Sequence, residues 1–384
     1  MLQVGLDNLI SSPRHQSLVK GRIAYLGHAA AVSWRLESGL DELVNLFGKR
    51  LVKAFGPQHG FGAVVQDNMI ETGHAIHPLH GIPLYSLYGE TRKPTGEMLD
   101  GIDTLIIDLQ DVGTRVYTYI WTMYLTLEAC AGKGIRVVVL DRPNPVGGVL
   151  TEGILPEPEW YSFVCLAPIP MRHGMTIGEL AVRFREMNGW DLDLQIIPME
   201  GWQRGMLWRD TGRQWINPSP NLPTPEGCLV YPGTVMLEGT VLSEGRGTTR
   251  SLEQFGHPDI EPFTVRKDLL NYLNQYELTG FVLRPVTFRP TFQKHAGKDC
   301  GGYQVHVTDP DTFQPWKTVI CILKYLYHHT EIRPFWSTQP YEYQFEGLAF
   351  DWINGTSKVR QWIEAEEGTD SELPLTIYHL PFTT

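Results

Sequence analysis

Residues 103–121, DTLIIDLQDVGTRVYTYIW, constrain the chain more than any other stretch. A short apolar run at 105–107 stops in Asp108, Gln110, Asp111, Thr114 and Arg115, and Tyr117 and Tyr119 then open a helical pattern. An apolar run of this length without alternation suits a strand buried on both faces of a parallel sheet. Polar groups gathered at the carboxyl end of such a strand stand where open α/β sheets place their ligands. Carboxylates there need partners, because an unpaired buried charge is costly, and Arg115 is the nearest in sequence. Two readings are open: a structural ion pair holding a strand–helix turn, or a functional pocket.

The same pattern recurs along the chain. Strands are expected at 22–26, 51–55, 135–140 and 194–197, with helices at 39–47, 118–131 and 176–188. Thr176 and Glu179 have the spacing of a capping box, and Gly132 and Gly134 suit the end of the helix before them. Strand alternating with helix predicts a Rossmann-like, doubly wound, mostly parallel α/β sheet. Residues 61–82 read as a long polar loop carrying Asp67, Asn68, Glu71, His74 and His77. From 201 to 233 the tryptophans Trp202, Trp208 and Trp215 and five prolines predict irregular structure packed by aromatics. Beyond about 240 a second, smaller α/β domain is expected, with helices at 266–276 and 318–328 and strands at 280–285 and 303–307. The expected division is therefore 1–240 and 241–384.

A length of 384 residues suggests two domains, and a net charge of −11 argues against nucleic acid or an anionic membrane as the main partner. No apolar run is long enough to span a bilayer. The N-terminus lacks a basic region followed by an apolar stretch, so the chain is read as cytoplasmic or as a trimmed secreted form. The odd set Cys130, Cys165, Cys228, Cys300 and Cys321 has no C-x-x-C pair and reads as buried free thiols. The oligomeric state is not legible.

Three strands end in polar sets: Gln58 and His59, then 108–115, then 141–144, the last containing Arg142. His173 precedes the capped helix, either as a neutral ligand-binding group or as a loop histidine satisfying the backbone. Asn217, Ser219 and Asn221 lie on a proline-stiffened segment that suits either polyol binding or plain turn chemistry. Glu238 and Glu244 flank a glycine-rich turn with Arg246. Paired carboxylates are what glycoside hydrolysis requires, and an arginine can grip a substrate carboxylate; the alternative is a solvated surface loop. No P-loop or G-x-S-x-G elbow is present, and Gly245-Arg246-Gly247 does not follow a strand and open a helix as a dinucleotide site requires. His59, His74, His77 and His80, with Asp67 and Glu71, match no standard metal spacing, so neither metal nor cofactor is expected.

Several motifs, in order over most of the chain, resemble one bacterial family. They are Phe55-Gly56-Pro57-x-His59-Gly60, Tyr85-Ser86-Leu87-Tyr88-Gly89, Asp108-x-Gln110-Asp111-Val112-Gly113-x-Arg115-x-Tyr117-Thr118-Tyr119 and Leu140-Asp141-Arg142-Pro143-Asn144-Pro145. Further on come Arg172-His173-Gly174-Met175-Thr176-Ile177-Gly178-Glu179-Leu180, Pro218-Ser219-Pro220-Asn221 and Glu238-Gly239-Thr240-x-x-Ser243-Glu244-Gly245-Arg246-Gly247-Thr248. The family, once uncharacterised, includes the exo-β-N-acetylmuramidases of peptidoglycan recycling. The resemblance implies a Rossmann-like domain with a C-terminal auxiliary domain, an active site in the cleft between them, and removal of terminal N-acetylmuramic acid. Many members carry glutamate where this chain has Gln58, and an amide cannot act as a general acid. Glu71 is the first substitute, with Glu244 the alternative. Asp108 or Asp111 would orient a hydroxyl or stabilise positive charge; His59, Tyr117 and His173 would hydrogen-bond the sugar; Arg115, Arg142 or Arg246 would take the lactyl carboxylate. The competing expectations are a non-catalytic binder of cell-wall fragments and a metal-dependent hydrolase.

Overall fold

The computed structural model describes residues 2–66 and 69–366. They form two compact units, and both are discontinuous in sequence. The first holds the residues up to Gly113, Tyr117–Val149 and Gly174–Pro220; the second holds Thr114–Val116, Leu150–His173 and the chain from Asn221 onward.

The first unit is built on strands β1 (Ile23–Leu26), β2 (Leu51–Gly56), β3 (Ala75–Ile76), β4 (Pro83–Ser86), β5 (Thr104–Ile107), β6 (Arg136–Leu140) and β7 (Leu194–Ile197). Their spatial order is β3-β4-β2-β1-β5-β6-β7, parallel throughout except for β3, which pairs antiparallel with β4 at the edge. The central strands β1 and β5 are buried along their whole length, as their unbroken apolar runs require. On one face Tyr25, Ile106, Val138 and Leu140 meet Leu6 and Leu9 of the helix Gly5–Ser11 and Leu40 and Leu43 of the helix Gly39–Phe47. The helices Tyr119–Cys130 and Ile177–Asn188 pack on each other through Trp121 and Phe184, ring centroids 5.6 Å apart. The capping box forms: Thr176 Oγ1 accepts Glu179 N–H at 3.2 Å, and Glu179 Oε2 accepts Thr176 N–H at 2.9 Å. Gly189 closes that helix in the left-handed conformation, φ 60°.

The second unit carries a three-stranded antiparallel sheet, β8 (Gln254–His257), β9 (Phe281–Phe288) and β10 (Cys300–Val307), in the order β8-β10-β9. Its helices include Pro225–Thr234, Pro262–Asn274 and Pro315–His329. Close strand approach demands glycine at 302, where a β-carbon would stand 1.9 Å from the Phe255 carbonyl oxygen.

Three expectations need correction. A single cut near 240 does not describe the units, because 114–116 and 150–173 return to pack with the C-terminal part. Backbone bridges join Thr114 and Glu152 to Arg172. Arg115, fully buried, donates to the carbonyls of Ile154, Ile169, Ile353 and Asn354 at 2.7–3.1 Å. The segment 201–233 is also not wholly irregular. Trp208 and Trp215 do pack, at 4.8 Å, but Pro225 begins a helix at the position where a missing N–H is harmless, capped by Thr224. The loop at 61–82 contains β3, and Asp67 and Asn68 lie outside the described residues. All five cysteines are buried and free, as expected, and no helix among the described residues is long and apolar enough to cross a membrane.

Arg115→Met would leave four carbonyls, three of them on buried residues, without their donor. Urea unfolding should show a loss of roughly 3 kcal/mol or more. A second expectation concerns Asp141, at the end of β6. Burial pushes its carboxyl up to about 7, against the pull of the Gly178 amide, the Thr176 hydroxyl and the Arg142 amide. A carboxyl raised above its unfolded value adds stability below that value, and the contribution is lost as pH rises towards 7. Thermal melts should therefore show Asp141→Asn gaining on wild type between pH 5 and pH 8.

Candidate functional site

Strand order reverses around β1: β2 lies on one side and β5 on the other. The crevice beyond the carboxyl ends of such strands is the expected ligand site of an open α/β sheet. Here it receives His28 after β1, Gln58 and His59 after β2, Asp108, Gln110 and Asp111 after β5, and Arg142 after β6.

These side chains meet through a few fixed contacts. Asp108, wholly buried, receives Arg142 Nε at 2.5 Å and Nη2 at 3.0 Å, with Tyr25 Oη at 3.3 Å. The same arginine donates to the Val32 carbonyl at 3.1 Å. Asp108 is thus paired with Arg142, and Arg115 belongs to the other unit. Asp111 Oδ2 accepts the Gly113 amide at 2.7 Å. Gly113 needs its glycine: φ is 80°, and a β-carbon would stand 2.5 Å from Asn144 Oδ1. Gln110 Nε2 donates to the carbonyls of Asp111 and Pro143 at 2.8 and 3.0 Å. Its Oε1, thus oriented, is buried with no hydrogen-bond partner among the described residues.

His28 was not anticipated. Its Nε2 accepts the Gln110 amide at 2.9 Å, and its ring lies 4.7 Å from that of Tyr119. Burial, followed by the charge of Arg142 and the neighbouring His59, holds its pKa well below the usual imidazole range, so it is neutral. Its signal in the sequence was positional: it follows β1 as Asp108 follows β5.

Gln58 is buried, and Thr118 Oγ1 donates to its Oε1. The Tyr119 hydroxyl donates to the Pro218 carbonyl at 2.7 Å and lies 3.4 Å from the Gln58 carbonyl. Tyr117 packs on Tyr119 at 4.6 Å. His59 sits at φ 68°, with Nδ1 2.6 Å from the Val65 carbonyl oxygen. Glu71 is half exposed, and Arg92 Nη2 lies 3.8 Å from its carboxylate. Its neighbour Thr72 comes within 3.3 Å of where a β-carbon on Gly60 would stand, so the loop folds back over the Gln58 turn. Ser219 is buried and Asn217 exposed. His80 pairs with Asp41 and stacks on His77 at 4.8 Å, while His74 accepts the Ser86 amide at 3.0 Å. Among the described residues no three His, Cys, Asp or Glu side chains gather as metal ligands would.

The remaining expected site residues belong to the second unit. Arg115 is a strut, its guanidinium spent on backbone carbonyls, and burial lowers its pKa. His173 is buried, and Asn221 Oδ1 accepts the Ser251 hydroxyl at 3.2 Å. Arg246 pairs with Glu238 and lies 3.2 Å from Glu244, which Lys294 Nζ also reaches at 2.9 Å. Burial alone would raise the Glu244 pKa, but Lys294 and Arg246 outweigh it and hold the carboxyl below the usual range. A general acid needs the opposite shift, so the acid role considered for Glu244 does not suit this geometry. Sequence gave no sign of Lys294.

Comparison with known proteins bears on this arrangement. Residues 23–226 match the family model for the N-terminal part of the exo-β-N-acetylmuramidase NamZ, and residues 229–373 match the model for its C-terminal part. The chain is 42% identical over 378 residues to the peptidoglycan β-N-acetylmuramidase NamZ of Bacillus subtilis (strain 168), covering 98% of this chain and 87% of that one. Two crystal structures of DUF1343 family proteins from Bacteroides fragilis NCTC 9343 share the fold. One has a TM-score of 0.82 at 31% identity and the other 0.71 at 28%, each covering 94% of this chain and 90% of the other. With both family models matched across most of its length and a relative this similar, the chain belongs to the NamZ exo-β-N-acetylmuramidase family.

Proposed function

We propose that this chain is an exo-acting glycosidase that releases terminal N-acetylmuramic acid from peptidoglycan fragments. The observation that carries the reading is its 42% identity, over nearly its whole length, to a peptidoglycan β-N-acetylmuramidase. The polar crevice at the end of β1 and β5 supports it. Gln110 Oε1 offers a buried acceptor there, and His59, Asp111 and Tyr117 supply further groups able to hydrogen-bond a sugar hydroxyl or acetamido group.

Glu71 is our choice for the general acid. Gln58 occupies the turn where a carboxyl is common in the family, and its amide has no proton of suitable acidity to give. Glu71 sits in the loop that folds back over that turn. Asp111 orients a ring hydroxyl or stabilises positive charge at the anomeric carbon, since Asp108 is committed to Arg142. Arg115 and Arg246 are likewise committed within the second unit. Arg92, which lies over the Tyr88 ring beside Glu71, is the better candidate for the lactyl carboxylate.

A chromogenic β-N-acetylmuramide tests the reading directly. Wild type should release the chromophore, and Glu71→Gln should lower kcat about 100-fold or more, the usual scale for a lost proton donor. Binding of N-acetylmuramic acid without release, and activity appearing only in Gln58→Glu, would make the chain a cell-wall-fragment binder instead.

A further inference from the structure

Residues 72–82 form a strap that follows Glu71, passes through β3 and leads into β4. It buries little apolar surface of its own, since Ile76 is 63% and Leu79 75% exposed. Its pairing with β4 is short: Ala75 with Leu84 and Ile76 with Pro83. A segment with so few buried contacts opens more readily than the core beside it.

Three histidines of the strap supply polar ties. His74 Nδ1 accepts the Ser86 amide of β4 at 3.0 Å, with its ring edge-on to Tyr85 at 5.3 Å. His77 Nδ1 lies 3.4 Å from the His80 amide, and its ring meets Phe61 edge-on at 6.2 Å. His80 Nε2 pairs with Asp41, in the first turn of the helix Gly39–Phe47. The His77 and His80 rings stack, with centroids 4.8 Å apart and planes 11° from parallel.

These ties depend on protonation. A ring nitrogen accepts a hydrogen bond only while it carries no proton, and an imidazolium has two donors and no acceptor. Protonated His74 would set a ring N–H against the Ser86 N–H. Protonated His77 would do the same to the His80 N–H and lay a second cation along the His80 ring. The titratable groups that meet these rings are His80 and Asp41 at His77, and Tyr85 at His74. Asp41 can balance one positive ring at this place, but not two. Burial and the His80 charge hold the His77 pKa below the usual imidazole range, against the opposite pull of Asp41.

We propose that His74 and His77 form an acid-operated latch: neutral, they hold the strap against β4 and the helix Gly39–Phe47, and protonated, they release it. A base whose pKa is lower docked than free leaves docking intact above the free value, about 6.5, and weakens it as pH falls below that. The latch goes beyond the glycosidase reading and does not rest on it. Only its bearing on catalysis does, because Glu71 stands at the head of the strap.

Hydrogen exchange of the full chain without substrate tests this, with each rate corrected for the intrinsic amide rate at that pH. The strap amides of Thr72, His77 and Gly81 are hydrogen-bonded, to the carbonyls of Tyr88, Ile82 and His77. Their peptides should lose protection about tenfold or more between pH 7.5 and pH 5, while peptides from β5 keep theirs. His74→Gln with His77→Gln retains an oxygen acceptor at both positions and cannot take up the proton, so most of this pH dependence should vanish. Unchanged strap protection in wild type, an equal loss in β5, or the full wild-type loss in the double variant would overturn the proposal. Should the double variant not fold, histidine-selective NMR of wild type decides. His74 and His77 must then titrate over the pH range in which the strap opens, and rings that keep one protonation state throughout it sink the latch.

Discussion

A carboxylate with no exposed surface, Asp108, and a guanidinium 2% exposed, Arg142, face each other at the end of the central strands. Either charge alone would be expensive to hold away from water, and together they are tolerable only because two directed hydrogen bonds join them. The rest of the sheet edge is arranged around this pair. Tyr25 adds a third contact to Asp108, the Val32 carbonyl accepts a hydrogen bond from Arg142, and the positive charge helps keep His28 neutral. The second unit repeats the solution with Glu238, Glu244, Arg246 and Lys294. Charged side chains that look in sequence like substrate contacts are thus largely consumed within the fold.

This explains what sequence could reveal. The parallel strands were legible because burial on both faces demands short unbroken apolar runs, and the helix after Thr176 was legible because its cap is local. The partner of Asp108 was not. Proximity along the chain pointed to Arg115, but β5 lies beside β6 in register, Ile107 against Val139, which brings Arg142 to Asp108. Arg115 instead spans 238 residues to reach the Ile353 carbonyl, a distance no local pattern encodes. The helix beginning at Pro225 was missed because proline reads as a breaker unless its position within the helix is known.

The candidate site divides along the same line. The residue types at the strand ends could be read in order, and the structure does place Gln58, His59, Asp108, Asp111 and Arg142 just after β2, β5 and β6. Their roles depend on which hydrogen bonds are already made. His28 and the buried Gln110 oxygen became visible only once strand neighbours were known. Glu71 lies in a loop, where sequence fixes the residue but not its company.

The path of the chain bears on how such a protein can be inherited or dissected. The first family match ends at residue 226, yet residues 114–116 and 150–173, inside that match, belong to the second unit. A fragment stopping at 226 would carry the Arg115 guanidinium without the Ile353 and Asn354 carbonyls that receive it. The two units alternate along the sequence, so no single breakpoint separates one from the other.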